Sequence, residues 1–243
     1  MMIIDYHAHL RRDRTSGEYL YDELLGDMEE NGVNLRLISA IDGPSIAVQN
    51  NCIAAFVGEN PTKLMGCAVI NPKEDECLAE MERIADMPEF KAVEFDSFEH
   101  GYLPESCSSI DGILEIAEVK GMPVSVYTGA GRRTAPHQWG WYARRHPGVN
   151  FVMLHMGGID FGYSCVDLAE QLPNVYLETS DQWEVPVLRK AFARLSPERM
   201  LFGSKYPEIF TKCSAMAFDM FKLTEWEKEL IYYENAKRLL GMS

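Results

Sequence analysis

No apolar run in the 243-residue chain approaches the roughly 18 residues that a membrane-crossing helix needs. No membrane span is expected. Basic residues are scarce, 23 Lys and Arg against 37 Asp and Glu, which leaves a formal charge of −14. That balance argues against nucleic acid or an anionic membrane as a partner. The six cysteines are scattered without a C-x-x-C pair, as expected of free thiols in a reducing cytoplasm rather than a disulfide framework. No charged segment leads into a short apolar stretch at the start, so the expected location is cytoplasmic. Linkers rich in Pro, Gly or Ser and low-complexity tracts are missing too, and residues 1–243 read as a single domain.

What is present suffices for a sizeable core, with 47% hydrophobic and 25% charged residues. Eight short apolar segments recur along the chain: MIID, VNLRLISAI, LMGCAVI, KAVEF, VSVY, NFVML, NVYLET and RMLFGS. Each is rich in Val, Ile, Leu or Phe with a turn residue close to its end, and reads as a strand. Stretches of helical period separate them. In YLYDELLGDMEENG, Leu20, Leu24 and Met28 share a stripe and Asn31-Gly32 supplies a stop. In SSIDGILEIAEVKG a serine start precedes Ile110, Ile113, Leu114 and Ala117, and Gly121 ends the run. Thr224 with Glu227 three residues on makes a capping box. The helix it starts has no strand after it and is expected to complete the outer ring or the barrel floor.

Strict alternation of near-continuous apolar strands with helices predicts a parallel sheet, and eight units in this length fit a closed (β/α)8 TIM barrel. A doubly wound open sheet fits less well, because no G-x-G-x-x-G follows the first strand.

Barrel active sites form where the strands run out at their C-terminal ends. The first strand ends in His7-Ala8-His9, whose alternate side chains share one face about 6.5 Å apart along the backbone. Two imidazoles thus converge on one point, as a metal or catalytic site requires. The fourth strand ends at Glu94, followed by Asp96; the fifth at Tyr127, the sixth at His155, the seventh at Glu178 to Asp181, and the eighth at Ser204-Lys205. Three of the six histidines therefore fall at strand ends. Arg132 and Arg133, in the loop after the fifth strand, read either as a clamp for a substrate carboxylate, which their fork geometry suits, or as an exposed basic pair. His137, Trp139 and Trp141 either line the pocket or seat the following helix, while His100 and His146 read as loop and junction residues.

The segments IIDYHAHL, ARRHPGVNFVMLHMGG, NVYLETS, ERMLFGSKYP and YYENAKRLLG, in that order, resemble the amidohydrolase-related, barrel-fold metal-dependent hydrolases. That group also contains the aminocarboxymuconate semialdehyde and related decarboxylases. The resemblance implies one divalent metal, commonly zinc. It implies ligands in the paired strand-one histidines, here His7 and His9, a histidine after strand five and an aspartate after strand eight. A further histidine after strand six, here His155, works with the metal-bound water. Such a shell leaves one place for water, and the ion lowers the pKa of that water far below its bulk value, to about 7.

Two positions depart from that pattern. Tyr127 stands where the strand-five histidine is expected and Lys205 where the aspartate is expected. A phenol binds zinc only as phenolate and titrates near 10. Unit charges 4 Å apart interact by about 4 kcal/mol at an effective dielectric near 20, so a divalent ion facing an ammonium loses about 8 kcal/mol. Lys205 escapes this cost by pointing away, by losing its proton, or by carbamylation. A fourth reading pairs it with Glu94 in the mouth, as if the two charges had been exchanged. The expectation is a hydrolase of a small lactone, ester or amide, with His155 as base or water-orienting group. The alternatives are a decarboxylase of the same family, a barrel that binds a small molecule without catalysis, and metal-free chemistry through Lys205 as base or Schiff base. The partner expected is a small-molecule substrate, with homo-oligomers open.

Overall fold

The structure is a computed structural model that describes residues 1–242. Strands β1 (Ile4–Leu10), β2 (Leu35–Ala40), β3 (Leu64–Val69), β4 (Phe90–Phe95), β5 (Val124–Tyr127), β6 (Phe151–Leu154), β7 (Val175–Glu178) and β8 (Met200–Leu201) form one sheet. Each pairs in parallel with the next in chain order. The segment after β8 returns to β1 and closes the ring. The Tyr6 N–H donates to the Phe202 carbonyl at 2.9 Å, the Lys205 N–H to His7 at 2.8 Å and the His9 N–H to Tyr206 at 2.7 Å. The fold is the expected TIM barrel.

Outside the strands run α1 (Tyr21–Glu30), α2 (Ile46–Glu59), α3 (Cys77–Ala85), α4 (Ile110–Lys120), α5 (Pro136–Arg145), α6 (Gly158–Gln171), α7 (Val185–Arg194) and α8 (Thr211–Asp219). The chain finishes in α9 (Glu225–Glu229), a π-helical turn over Leu230–Glu234, and α10 (Asn235–Leu239). No helix among the described residues is long and apolar enough to cross a membrane.

Period-two alternation divides the strands between two cores. Leu37, Cys67, Ala92, Val152 and Leu201 fill the barrel interior, while Ile38, Ala68, Val93, Val124 and Phe151 pack outward under the helices. In α1, Leu24 and Met28 are buried as the stripe predicts, with Leu20 just ahead of the first turn. Gly121 ends α4 at φ 65°, the left-handed cap a glycine adopts without strain. Ser109 stands at the start of α4 but does not cap it; its hydroxyl donates to the Pro72 carbonyl at 2.6 Å. The Thr224–Glu227 capping box forms. The helix it opens settles the two alternatives for the C-terminus, since Ala236, Leu239 and Leu240 join Ile4 and Tyr6 in the cluster that floors the barrel.

A buried ionic network ties this wall together. Arg36 on β2, fully buried, donates to Asp5 on β1 at 2.8 Å, to Asp27 on α1 at 2.6 Å and to Thr211 on α8 at 3.1 Å. Asp5 in turn accepts from the Ser204 N–H at 2.8 Å and the Ser204 hydroxyl at 2.6 Å. The turn that carries Lys205 is thereby pinned to the first strand.

Candidate active site

The histidine pair reaches the mouth through an irregularity in β1. The β1–β2 register shifts between Asp5 and Ala8. Tyr6 packs in the interior cluster, yet Ala8, two residues on, packs in the outer one. The shift changes the parity of the strand, so Tyr6, His7 and His9 all face inward. The rings of His7 and His9 meet edge to face with centroids 4.6 Å apart. Both are nearly sealed from solvent, at 4% and 6% exposure.

His155 joins them by a different device. Leu154 packs in the barrel interior and Met156 in the outer core, so simple alternation would send residue 155 outward. Instead His155 takes φ 62°, and its ring lies 5.0 Å from that of His7 and 5.0 Å from Tyr127. Asp181 and Lys205, which follow β7 and β8, also have positive φ, both 56°. Backbone strain of this kind persists where surrounding structure enforces it, often at sites of function.

Hydrogen bonds fix the histidine tautomers. The Ser180 hydroxyl donates its one proton to Glu178 at 2.8 Å, so at 2.9 Å it accepts from His155 Nδ1. His155 Nε2 then carries a lone pair. Burial pushes the pKa of His155 well below the usual histidine value, with the Lys205 charge adding to the effect. His7 is likewise held neutral, by burial first and by His9 and His155 beside it. His9 differs. Burial opposes its charge, but Glu208 and Glu94 outweigh burial and hold its pKa at about 10. Its Nδ1 lies 3.2 Å from Glu208 Oε2. Glu208 is held down at about 2 against its own burial by His9 and Arg11. Glu178, bonded to the His155 N–H at 3.0 Å, is pushed up to about 7 by burial. It lies so close to β8 that a Cβ at Gly203 would fall 2.1 Å from its Oε1.

Of the residues expected at the site, His7, His9, Glu94, Tyr127, His155, Asp181 and Lys205 do assemble at the mouth. The proposed exchange of charges does not occur. Lys205 pairs with Asp181 at 2.8 Å, not with Glu94, whose Oε2 accepts from Ser39 at 2.8 Å while its Oε1 lies 3.7 Å from His9 Nε2. The rim carries the anion for the lysine because the strained turn at Asp181 presents its carboxylate there. Burial works against the Lys205 charge, but Asp181 more than offsets it and raises the pKa above the usual lysine value. Loss of the proton is therefore not the lysine's escape. Tyr127 remains a neutral phenol, its pKa raised by burial, with Phe98 stacked on it at 5.9 Å.

Arg132 and Arg133 lie in a short 3-10 turn and are exposed. Arg133 lines a separate surface cleft of about 790 Å³ with Lys73, Tyr102 and Ser109 rather than the histidine cluster. Of the two readings of this pair, its exposure matches the exposed basic pair. Trp139 packs against Phe95 and Tyr142 and seats α5, Trp141 carries Arg145 on its face, and His137 is exposed. His146 bonds Asp111 at 2.8 Å, a structural junction. Glu208 and Ser39 are the participants that sequence reasoning missed; Ser180 lay within the strand-seven end, but its bond to His155 was not foreseen. Glu208, three residues past Lys205 and directly after the segment ERMLFGSKYP, had a positional signal; Ser39 had none.

An inward-facing imidazole cluster at the C-terminal mouth of a TIM barrel defines a class of metal-dependent enzyme fold. The family model described as Amidohydrolase matches residues 4–242, and the chain belongs to that family. No match is found among curated protein sequences. Solved structures share the fold. 5-Carboxyvanillate decarboxylase LigW from Sphingomonas paucimobilis is 16% identical with a TM-score of 0.77, covering 100% of this chain and 99% of its own. 2,6-Dihydroxybenzoate decarboxylase from Rhizobium is 16% identical, TM-score 0.78, covering 99% and 98%. Dihydroxybenzoic acid decarboxylase from Polaromonas, solved with manganese and the inhibitor 2-nitroresorcinol, is 17% identical, TM-score 0.80, covering 99% and 97%.

The family implies a divalent metal, and part of this mouth suits one. The Nε2 atoms of His7, His9 and His155 are buried without a hydrogen-bond partner, and buried polar atoms are seldom left so. Ring nitrogens aimed into a dry pocket, neutral at His7 and His155 and made so at His9 by release of its proton to an incoming ion, are metal-ligand chemistry. Tyr127 and Lys205, a protonated phenol and an ammonium, are not.

Proposed function

We propose that the chain is a metal-dependent carbon–carbon lyase that removes carbon dioxide from a small, planar, unsaturated carboxylate of the hydroxybenzoate type. The observation that carries this reading is the juxtaposition of three unpartnered imidazole nitrogens with one ammonium, Lys205, whose counter-ion sits at the rim. A divalent ion held there by His7 and His9 would supply an electrophile that draws electron density from substrate oxygens. Everything else falls to the protein. The Lys205 ammonium suits an anionic substrate that displaces Asp181 from it. Tyr127, backed by Phe98, offers a flat aromatic wall for a ring. Near-complete burial of His7, His9, Glu94 and His155 keeps water out, which strengthens each electrostatic contact.

Loss of carbon dioxide breaks the bond from ring to carboxylate and leaves the electron pair on the ring carbon, which must then take a proton. His155 has its proton on Nδ1, engaged by Ser180, so its Nε2 accepts rather than gives. With His9 giving up its extra proton on binding the ion, the groups nearby that still carry a proton at neutral pH are Tyr127 and Lys205, whose Nζ lies 5.9 Å from the Tyr127 ring centre. They are the donors on this reading. The lone pair on His155 Nε2 favours a second reading, hydrolysis of a lactone, ester or amide with His155 as the base that activates water.

The deciding experiment incubates purified protein with manganese or zinc and two substrate panels, hydroxylated benzoates and small lactones or esters. Carbon dioxide release from a benzoate, abolished in Lys205→Met, supports the lyase. Turnover confined to the second panel replaces it with the hydrolase, and no turnover on either panel refutes both.

A further inference from the structure

The amidohydrolase pattern draws its anionic metal ligand from the end of strand eight, and this chain has Lys205 there. We propose that the missing carboxylate has moved across the barrel, so that Glu94 on β4 completes a two-histidine, one-carboxylate site with His7 and His9. The proposal shares with the lyase reading only the presence of a metal, and it is tested by binding rather than turnover.

Four observations converge on it. First, one ligand atom each from His7, His9 and Glu94 can be chosen so that all three lie within 4.8 Å of one another. Donors about 2.1 Å from a tetrahedral ion stand about 3.4 Å apart. The His9 Nε2 to Glu94 Oε1 distance is already 3.7 Å, so that pair need contract only slightly, and the His7 donor, within 4.8 Å of both, by at most about 1.4 Å. Second, the three residues are at most 6% exposed, and the Nε2 atoms of both histidines have no hydrogen-bond partner.

Third, each of two donors is held by a contact that leaves its metal-facing atom free. Ser39 occupies Glu94 Oε2 at 2.8 Å and leaves Oε1 turned toward the histidines. Glu208 takes His9 Nδ1 at 3.2 Å and leaves Nε2. A carboxylate behind a ligating histidine is the usual means of fixing its tautomer and orientation. Fourth, Lys205 is tied at 2.8 Å to Asp181, so its ammonium is directed to the rim and not into the triad.

Two histidines and a carboxylate suit zinc, manganese or ferrous iron and leave positions open for substrate. Lys205, freed from any ligand role, is then available to an anionic group.

The test measures binding of Mn2+ and Zn2+ to metal-stripped protein by calorimetry and elemental analysis. Wild type is expected to bind one ion. Glu94→Gln is expected to weaken it by at least 100-fold, since loss of a direct ligand should exceed the 10- to 100-fold typical of an outer contact such as Ser39→Ala. Lys205→Met should leave affinity unchanged or raise it. Unaltered affinity in Glu94→Gln, or the absence of any bound ion in wild type, overturns the proposal. Should Glu94→Gln fail to fold, X-ray absorption on zinc-loaded wild type decides. Two imidazoles with oxygen donors support Glu94, and three imidazoles replace it with His155. One bound ion without decarboxylation of any substrate would sink the lyase and leave this site standing.

Discussion

Removing the Arg36 guanidinium while keeping its bulk, as in Arg36→Met, strands the Asp5 carboxylate. Both side chains are fully buried, 2.8 Å apart. Breaking such a pair from one side costs about 3–5 kcal/mol, because the remaining charge has lost its compensation. At about 2–4 °C per kcal/mol for a chain of this length, the melting temperature should fall by about 6–20 °C. Asp5 retains its bonds from Ser204, which argues for the lower half of that range. The pH dependence has a definite sign. Asp5 is already raised above the usual carboxylate value, by burial first and against the pull of Arg36; without Arg36 it rises further. A carboxyl with a raised folded-state pKa is least costly below its unfolded value of 3.8. Its penalty grows as pH climbs through the interval up to the folded value, then stays constant. The deficit of Arg36→Met against wild type should therefore be full at neutral pH and shrink in acid. Calorimetric melting from pH 4 to 8 reads this directly, and the double variant Asp5→Asn, Arg36→Met should recover part of the loss at pH 7. A deficit below about 1 kcal/mol, or one that deepens toward acid, would refute the account.

Ser180→Ala should lower turnover by one to two orders of magnitude with little change in KM, because His155 loses the partner that fixes its tautomer; Ser180→Thr should restore much of it. Glu178, held at about 7 by burial, should erode stability as pH rises from 4.5 to about 7, and Glu178→Gln should flatten that slope in urea titrations across the interval. Arg132→Ala with Arg133→Ala should leave KM for carboxylate substrates within twofold, since both side chains are exposed and Arg133 lines a separate cleft. Thr224→Ala should cost about 1 kcal/mol by opening the capping box, measured by chemical denaturation.

The spacing of apolar runs was enough for the barrel because the strands are apolar on both faces, helical stretches separate them, and Gly, Pro and Asn mark the turns. Even β8, which pairs over only Met200–Leu201, announced itself through RMLFGS. The candidate site was legible as a set of positions, since a barrel mouth gathers the residues at the C-terminal end of every strand. Its internal partnerships were not. Whether Lys205 meets Glu94 or Asp181 depends on ring curvature and on the left-handed turn at Asp181. Whether His9 meets Glu208 depends on a closure spanning 199 residues of chain. The parity shift in β1 that brings Tyr6, His7 and His9 to one side is a backbone event with no residue signature in IIDYHAHL.

The left-handed backbone at position 205 sets stability against chemistry. His155 and Asp181 are residue types found comparatively often at positive φ; lysine is not. A lysine there carries strain of about 1–3 kcal/mol, against an ion pair at the rim whose return is about 0–1 kcal/mol. Asparagine or aspartate would sit more easily in that seat. A library sorted only for heat resistance should therefore discard Lys205 early, and one sorted for turnover should keep it. The codon at which the two sorts disagree would mark where this barrel trades durability for activity.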